Sequence, residues 1–134
     1  MLGQQIGDER GKVTGRRVLP SDGQGPKMEV TFEAQGQFVG IASVNVGTYW
    51  TVVQTNGLLY GEGEGFITTN QGDIVQWTGS GRGHLTQQGG ASFRGAIYYR
   101  TISAKLAHVN DIAGVYEHET DQHGNVITKA WEWK

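Results

Sequence analysis

The 134-residue chain has no cysteine and only two prolines. Without thiols it has no disulfide, no thiolate metal site and no cysteine nucleophile. Charge of one sign is lacking too: 11 Lys and Arg stand against 13 Asp and Glu, for a net charge of −2. That balance gives no global attraction to nucleic acid or to an anionic membrane surface, and neither is expected as a partner. No apolar run approaches the length of a membrane span, and Met1 to Lys12 lacks a signal-peptide hydrophobic region, so a cytoplasmic protein is expected. Helical periodicity is absent as well, since no long stretch repeats apolar residues at three- and four-residue spacing. The length suits one domain, residues 1–134, with a single core.

What the chain has in quantity is glycine, 22 residues of it. Gly61, Gly63 and Gly65, then Gly79, Gly81 and Gly83, occupy alternate positions in two neighbouring strand-like segments. Side chains alternate sides along a strand, so all six glycines fall on one face of a sheet. A face stripped of side chains can coil tightly and leaves room for the protein's own aromatics or for a ligand.

Strand alternation runs through the rest. Met28, Val30, Phe32 and Ala34 alternate with Glu29, Thr31, Glu33 and Gln35, and Val44, Val46, Thr48, Trp50 and Val52 form a second stripe. Asn56-Gly57 is a strong type I′ hairpin signal, because both central residues need positive φ. Asn70-Gln71-Gly72 and the Asp121–Asn125 segment predict short loops with a left-handed glycine, and Gln88-Gly89-Gly90 divides two further strands. Pro20 to Pro26 reads as a loop, and Ser103 to Asp111 as a loop or one helical turn. Turns spaced by roughly a dozen residues predict an all-β antiparallel meander of about eight strands. With no helix to cover a sheet, the expected architecture is a closed up-and-down barrel, which removes the sheet edges.

Register refines this. A two-residue Asn56-Gly57 turn places Trp50 opposite Gly63 and Val52 opposite Gly61, while a three-residue loop at Asn70–Gly72 places Trp77 opposite Gly65 and Gly79 opposite Gly63. Aromatic rings packed over glycine stabilise paired strands. Phe32, Trp50, Trp77, Phe93, Tyr99 and Trp131, with Trp133, form an aromatic set, most of it expected on the inner face, where it either fills the core or lines a site for a small apolar or aromatic molecule. Glu62, Glu64, Arg82 and His84 fall on the other face with Arg94, Arg100, Tyr60, Tyr98 and Ser92. This set reads either as a polar cleft for acid–base chemistry or as an outward charge ladder, solvated or part of a subunit interface. The four histidines show no metal-ligand spacing, so no metal is expected, nor any cofactor. Gly79–Gly83 lacks the Gly-Lys-Ser/Thr ending and the following helix of a phosphate loop.

The stretch from Gly61 to Lys134 resembles a family of small uncharacterised bacterial proteins whose barrel is similar to that of plant allene oxide cyclase. The resemblance rests on Gly61-x-Gly63-x-Gly65, Trp77-Thr78-Gly79-x-Gly81-x-Gly83, Ser92-Phe93-Arg94-Gly95-Ala96, Lys105-Leu106-Ala107, Gly114-Val115-Tyr116-Glu117 and the terminal Trp131-Glu132-Trp133-Lys134. The N-terminal part adds only compatible strands. The resemblance implies a lipocalin-like closed barrel and a tendency to form homo-oligomers; it transfers no activity, because fold does not fix function. The first expectation is thus a barrel that binds a small apolar molecule. The alternatives are an isomerase- or cyclase-type enzyme using Glu62, Glu64 or His84, and an oligomeric interaction module.

Overall fold

Alternating apolar residues and glycine-marked turns produce eight antiparallel strands in the computed structural model, which describes residues 1–134. The strands are β1 (Leu2–Leu19), β2 (Lys27–Phe38), β3 (Ile41–Val53), β4 (Leu58–Thr69), β5 (Ile74–Leu85), β6 (Ala91–Thr101), β7 (Gly114–Thr120) and β8 (Asn125–Trp133). Each pairs with its sequence neighbours, and β1 pairs with β8, so the sheet closes into the expected up-and-down barrel. Ser103–Asp111, open between loop and turn from sequence, contains a 3₁₀ segment over Ala104–Asp111 that buries Leu106 and Val109. Both join the core cluster with Phe38 and Tyr99, whose rings lie 5.2 Å apart, and so close one end of the barrel. No helix of the protein is long and apolar enough to cross a membrane.

The two hairpins around the glycine stripe came out differently. At Asn70–Gly72 the Thr69 N–H donates to the Asp73 carbonyl at 3.0 Å, and Trp77 faces Gly65 and Gly79 faces Gly63, as the three-residue loop predicts. At Asn56-Gly57 the type I′ turn also forms, with φ of 63° and 71° and the Leu58 N–H donating to the Thr55 carbonyl. The Gln54 N–H, however, takes the Leu58 carbonyl at 2.7 Å, which leaves one extra residue on the β3 side. A single bulged residue turns every side chain upstream to the other face. Tyr49 rather than Trp50 therefore pairs with Gly63, and Trp50 pairs with Glu62 on the outside.

This corrects the β3 stripe. Ser43, Asn45 and Gly47 are buried inside, whereas of Val44, Val46, Thr48, Trp50 and Val52 only Val52 is buried. Trp50 packs on the outer surface against Tyr60 at 5.8 Å, with Lys27 Nζ 4.5 Å from its ring centroid. Trp131 and Trp133 are corrected likewise. Val126 and Ala130 of β8 are buried in the core, so alternation turns Trp131 and Trp133 outward, and Trp133 is 55% exposed.

The inner glycines hold large rings. A Cβ at Gly65 would stand 2.7 Å from Trp77 Cζ2 and press on the Val46 carbonyl oxygen, and one at Gly63 would stand 2.6 Å from Tyr49 Cβ. Glycine is required there by close approach. Gly65→Ala is expected to cost about 2 kcal/mol through overpacking, read as a lowered denaturant midpoint at unchanged m-value.

Candidate functional site

Three elements converge on His118, which lies on the inner face of β7 and is 6% exposed. Its ring centroid is 5.1 Å from Phe32 of β2, 5.4 Å from Tyr49 of β3 and 6.3 Å from Phe93 of β6. Desolvation by these rings drives its pKa from 6.5 down to about 4, the Glu119 charge opposing only weakly, so the imidazole is neutral at pH 7. On one side Nδ1 meets the Thr128 hydroxyl at 2.7 Å; on the other, Nε2 is buried with no hydrogen-bond partner.

The tautomer follows from counting partners. If Nδ1–H donates, the Thr128 hydroxyl proton and the Nε2 lone pair both stand idle. If Thr128 donates to Nδ1, only the Nε2–H is left over. The second arrangement wastes less, and it makes His118 Nε2 a donor awaiting an acceptor. A buried polar atom without a partner costs about 1–3 kcal/mol, so the position calls for a ligand or an ordered water.

A second polar chain runs behind the rings. Trp77 Nε1 donates to Asn45 Oδ1 at 2.7 Å, and Asn45 Nδ2 donates to Glu9 Oε1 at 2.5 Å. Glu9 comes from β1 and pairs with Thr128 of β8, so it stands next to the His118 partner on the inner face. Burial raises the Glu9 carboxyl from 4.5 to about 7; the Asn45 hydrogen bond opposes this and the Asp8 charge adds to it. This chain fixes the Trp77 indole and the Asn45 amide in place.

Between these groups lies a cavity of about 60 Å³, bounded by Phe32, Tyr49, Trp77, Phe93, Tyr116 and His118 and by Gly61, Gly63 and Gly79. At ~30 Å³ per water it holds about two waters, and it is well below the ~150 Å³ that admits benzene to an engineered apolar cavity. The glycine stripe is thus largely refilled. Trp77 covers Gly65 and Gly47, Phe93 approaches Gly83, and the Tyr116 hydroxyl lies against Gly81. Burial raises both tyrosines to about 12. Both are protonated donors at pH 7.

Of the residues expected at the site, Phe32, Trp77 and Phe93 come together around the cavity. Tyr99 is inside but belongs to the opposite, capped end, packed against Phe38 with the rings tilted by 57°. Trp50 and Trp131 face outward, as above. The polar candidates Glu62, Glu64, Arg82 and His84 are all exposed on the outer face, because they alternate with inward glycines. Their side chains do not point into the barrel, although Glu62 is among the residues that border the cavity, between Gly61 and Gly63. Instead they belong to a ladder in which Tyr60 donates to Glu62 at 2.8 Å and Arg94 bridges Glu117 and Glu119 at 3.5 and 2.7 Å. Exposed pairs of this kind contribute about 0–1 kcal/mol each. No three His, Asp or Glu side chains are grouped closely enough to hold a metal ion.

The sequence reading missed Tyr49, Tyr116, His118, Asn45 and Glu9. A signal existed for His118, since Glu117 and Glu119 flank it and turn it to the face opposite theirs. Tyr49 was hidden by the bulge at Gln54.

No family model matches the chain, and no curated protein matches it. Solved structures do. A protein of unknown function from Clostridium acetobutylicum superimposes with a TM-score of 0.84 at 13% identity, covering 98% of both chains. A conserved protein of unknown function from Rhodopseudomonas palustris gives 0.80 at 13% identity, covering 99% of each. A β-barrel-like protein from Acinetobacter baumannii gives 0.84 at 14%, covering 100% of this chain and 96% of that one. At such identities the likeness is one of fold.

Proposed function

We propose that the barrel interior binds one small, mainly apolar molecule in the cavity beside His118. The observation that carries this reading is a cavity lined by aromatic rings and by His118, whose fully buried Nε2 has no protein partner. Ligand pockets combine an apolar lining with a few placed polar groups, and this lining has that character. The resemblance to allene-oxide-cyclase-like barrels supports an interior site, but it lends no chemistry. Cavity size sets the ligand at a few heavy atoms; a benzene-sized ring enters only if Tyr49 or Tyr116, both half-buried, swings aside.

Native mass spectrometry and calorimetry with acetone, 1-propanol and 2-butanone test this reading. At least one is expected to bind with one-to-one stoichiometry. Gly79→Ala provides the control: its Cβ would enter the cavity wall and come no closer than 3.3 Å to the Ala96 carbonyl oxygen. The variant is expected to fold with little loss of stability and to bind at least tenfold more weakly. Failure of every compound to bind, or equal affinity in Gly79→Ala, overturns the reading.

A further inference from the structure

The outer wall of the barrel carries two opposite features, one on each side of β5. On the β4 side an open groove of about 430 Å³ is lined by Glu29, Thr48, Trp50, Glu62, Glu64 and Thr78. On the β6 side stands Tyr98, 56% exposed, with the exposed Arg100 two residues further along the same face. The register sets Thr48, Glu64, Thr78 and Tyr98 in one row across β3, β4, β5 and β6. Only Thr78 separates Glu64 from Tyr98 in that row.

The charges of both features are left over by the fold. The ion pairs of the protein join Arg17 to Glu29, Arg94 to Glu117 and Glu119, and Lys105 to Asp73. Glu64 and Arg100 are exposed and take part in none of them. Glu62 receives only the Tyr60 hydroxyl. An acidic groove and a basic ridge tipped by an aromatic ring thus flank a single strand. The strand between them presents Thr78 and Ser80, short side chains that let another sheet approach closely.

A two-fold axis running along β5 exchanges the two sides. It lays β4 of one copy on β6 of the other, so each groove meets the opposite ridge. Glu64 then stands beside Tyr98 and Arg100 of the second copy, and the same contacts recur on the far side of the axis. A second copy of this chain carries both complements at the required separation, because the register that spaces them is its own. Tyrosine and arginine are also the side chains that anchor interfaces most often.

We propose that this face docks a second copy of the chain, in a two-fold dimer in which Tyr98 of each copy enters the groove of the other and Arg100 pairs with Glu64. The parent protein is expected to sediment as a dimer at about 100 μM, and less so as salt rises. Tyr98→Ala is expected to weaken association at least tenfold. Glu64→Arg and Arg100→Glu each set like charges against one another twice across the axis, so each variant alone is expected to be a monomer. An equimolar mixture of those two is expected to form dimers of one copy of each, because every reversed charge then meets an opposite one. All three positions are exposed, and an unchanged urea midpoint confirms that each variant folds. A parent that is monomeric at this concentration, single variants that dimerise as the parent does, or a mixture of folded variants that stays monomeric overturns the proposal.

Discussion

Replacing Glu9 by Gln is expected to stabilise the protein by about 3 kcal/mol at pH 8.5 and to leave it nearly unchanged at pH 4. The Glu9 carboxyl has a folded pKa of about 7 against 4.5 for the exposed group, raised mainly by burial. Between those values the folded state holds a proton that the unfolded state has released, so stability falls as pH rises through the window. Above pH 7 the carboxylate is buried and charged with one hydrogen bond, from Asn45, to support it. Gln carries no charge, and its carbonyl oxygen still accepts from the Asn45 amide. Urea unfolding of both proteins at pH 4, 6 and 8.5 checks the difference. A variant weaker than the parent by one constant amount at every pH contradicts it.

The second large effect has the opposite sign. His118 has a folded pKa of about 4 against 6.5 when exposed, because burial disfavours the imidazolium. Here the unfolded state binds the extra proton, so the contribution is complete above pH 6.5 and is lost as pH falls toward 4, about 3 kcal/mol in all. In the parent protein the losses at His118 and the gains at Glu9 run against each other from pH 6.5 to 4.5 and nearly cancel. Removing either unmasks the other. His118→Phe is expected to gain stability relative to the parent as pH falls through this window, and Glu9→Gln to lose it. Comparison with the parent at each pH removes the shared acid sensitivity of Asp73 and Asp121. Asp73 is held below its ordinary value first by the Thr69 hydroxyl, and Asp121 by the Asn125 side chain. Parallel pH curves for the two variants contradict the assignment of these groups. His118→Phe is also expected to lose ligand binding, since the buried Nε2 without a partner is gone from the cavity lining.

Much of the barrel was legible because its signals are local. The Asn70–Gly72 loop, the alternate glycines and the inward Phe32, Trp77 and Phe93 depend on residues within a few positions of one another, and no bulge intervenes. The type I′ turn at Asn56-Gly57 was legible too, but the extra residue at Gln54 was not, because nothing in that residue type signals a bulge. That one residue exchanged Tyr49 for Trp50. Strand β1 was the least visible element. Its register shifts near Gln5 and again at Thr14 break the alternation, and its exposed Arg16 and Arg17 look like loop residues.

The site was harder to foresee than the fold, for a reason of topology. His118 meets rings from β2, β3 and β6, and Glu9 meets Asn45 across 36 residues of chain. Such groups acquire their properties from non-local packing. In the sequence Glu9 lies between Asp8 and Arg10 and reads as an ordinary solvated charge. Only the closed barrel, with Gly36 as its neighbour on β2, takes it out of water. The outward ladder of Glu62, Glu64 and Arg82, by contrast, was correctly grouped by alternation, and only the side of the wall remained open.

The central claim is that the cavity lined in part by His118, whose Nε2–H has no protein partner, receives a ligand. Long-range proton–nitrogen NMR of the imidazoles, recorded from pH 8 to 5 with and without 2-butanone, addresses it directly. The account predicts that His118 stays neutral with its proton on Nε2 over this range. It also predicts that the ligand shifts the His118 Nε2 resonance while the exposed His84, His108 and His123 do not respond. A His118 that is protonated above pH 5, or whose Nε2 resonance ignores every ligand that binds the protein, contradicts it.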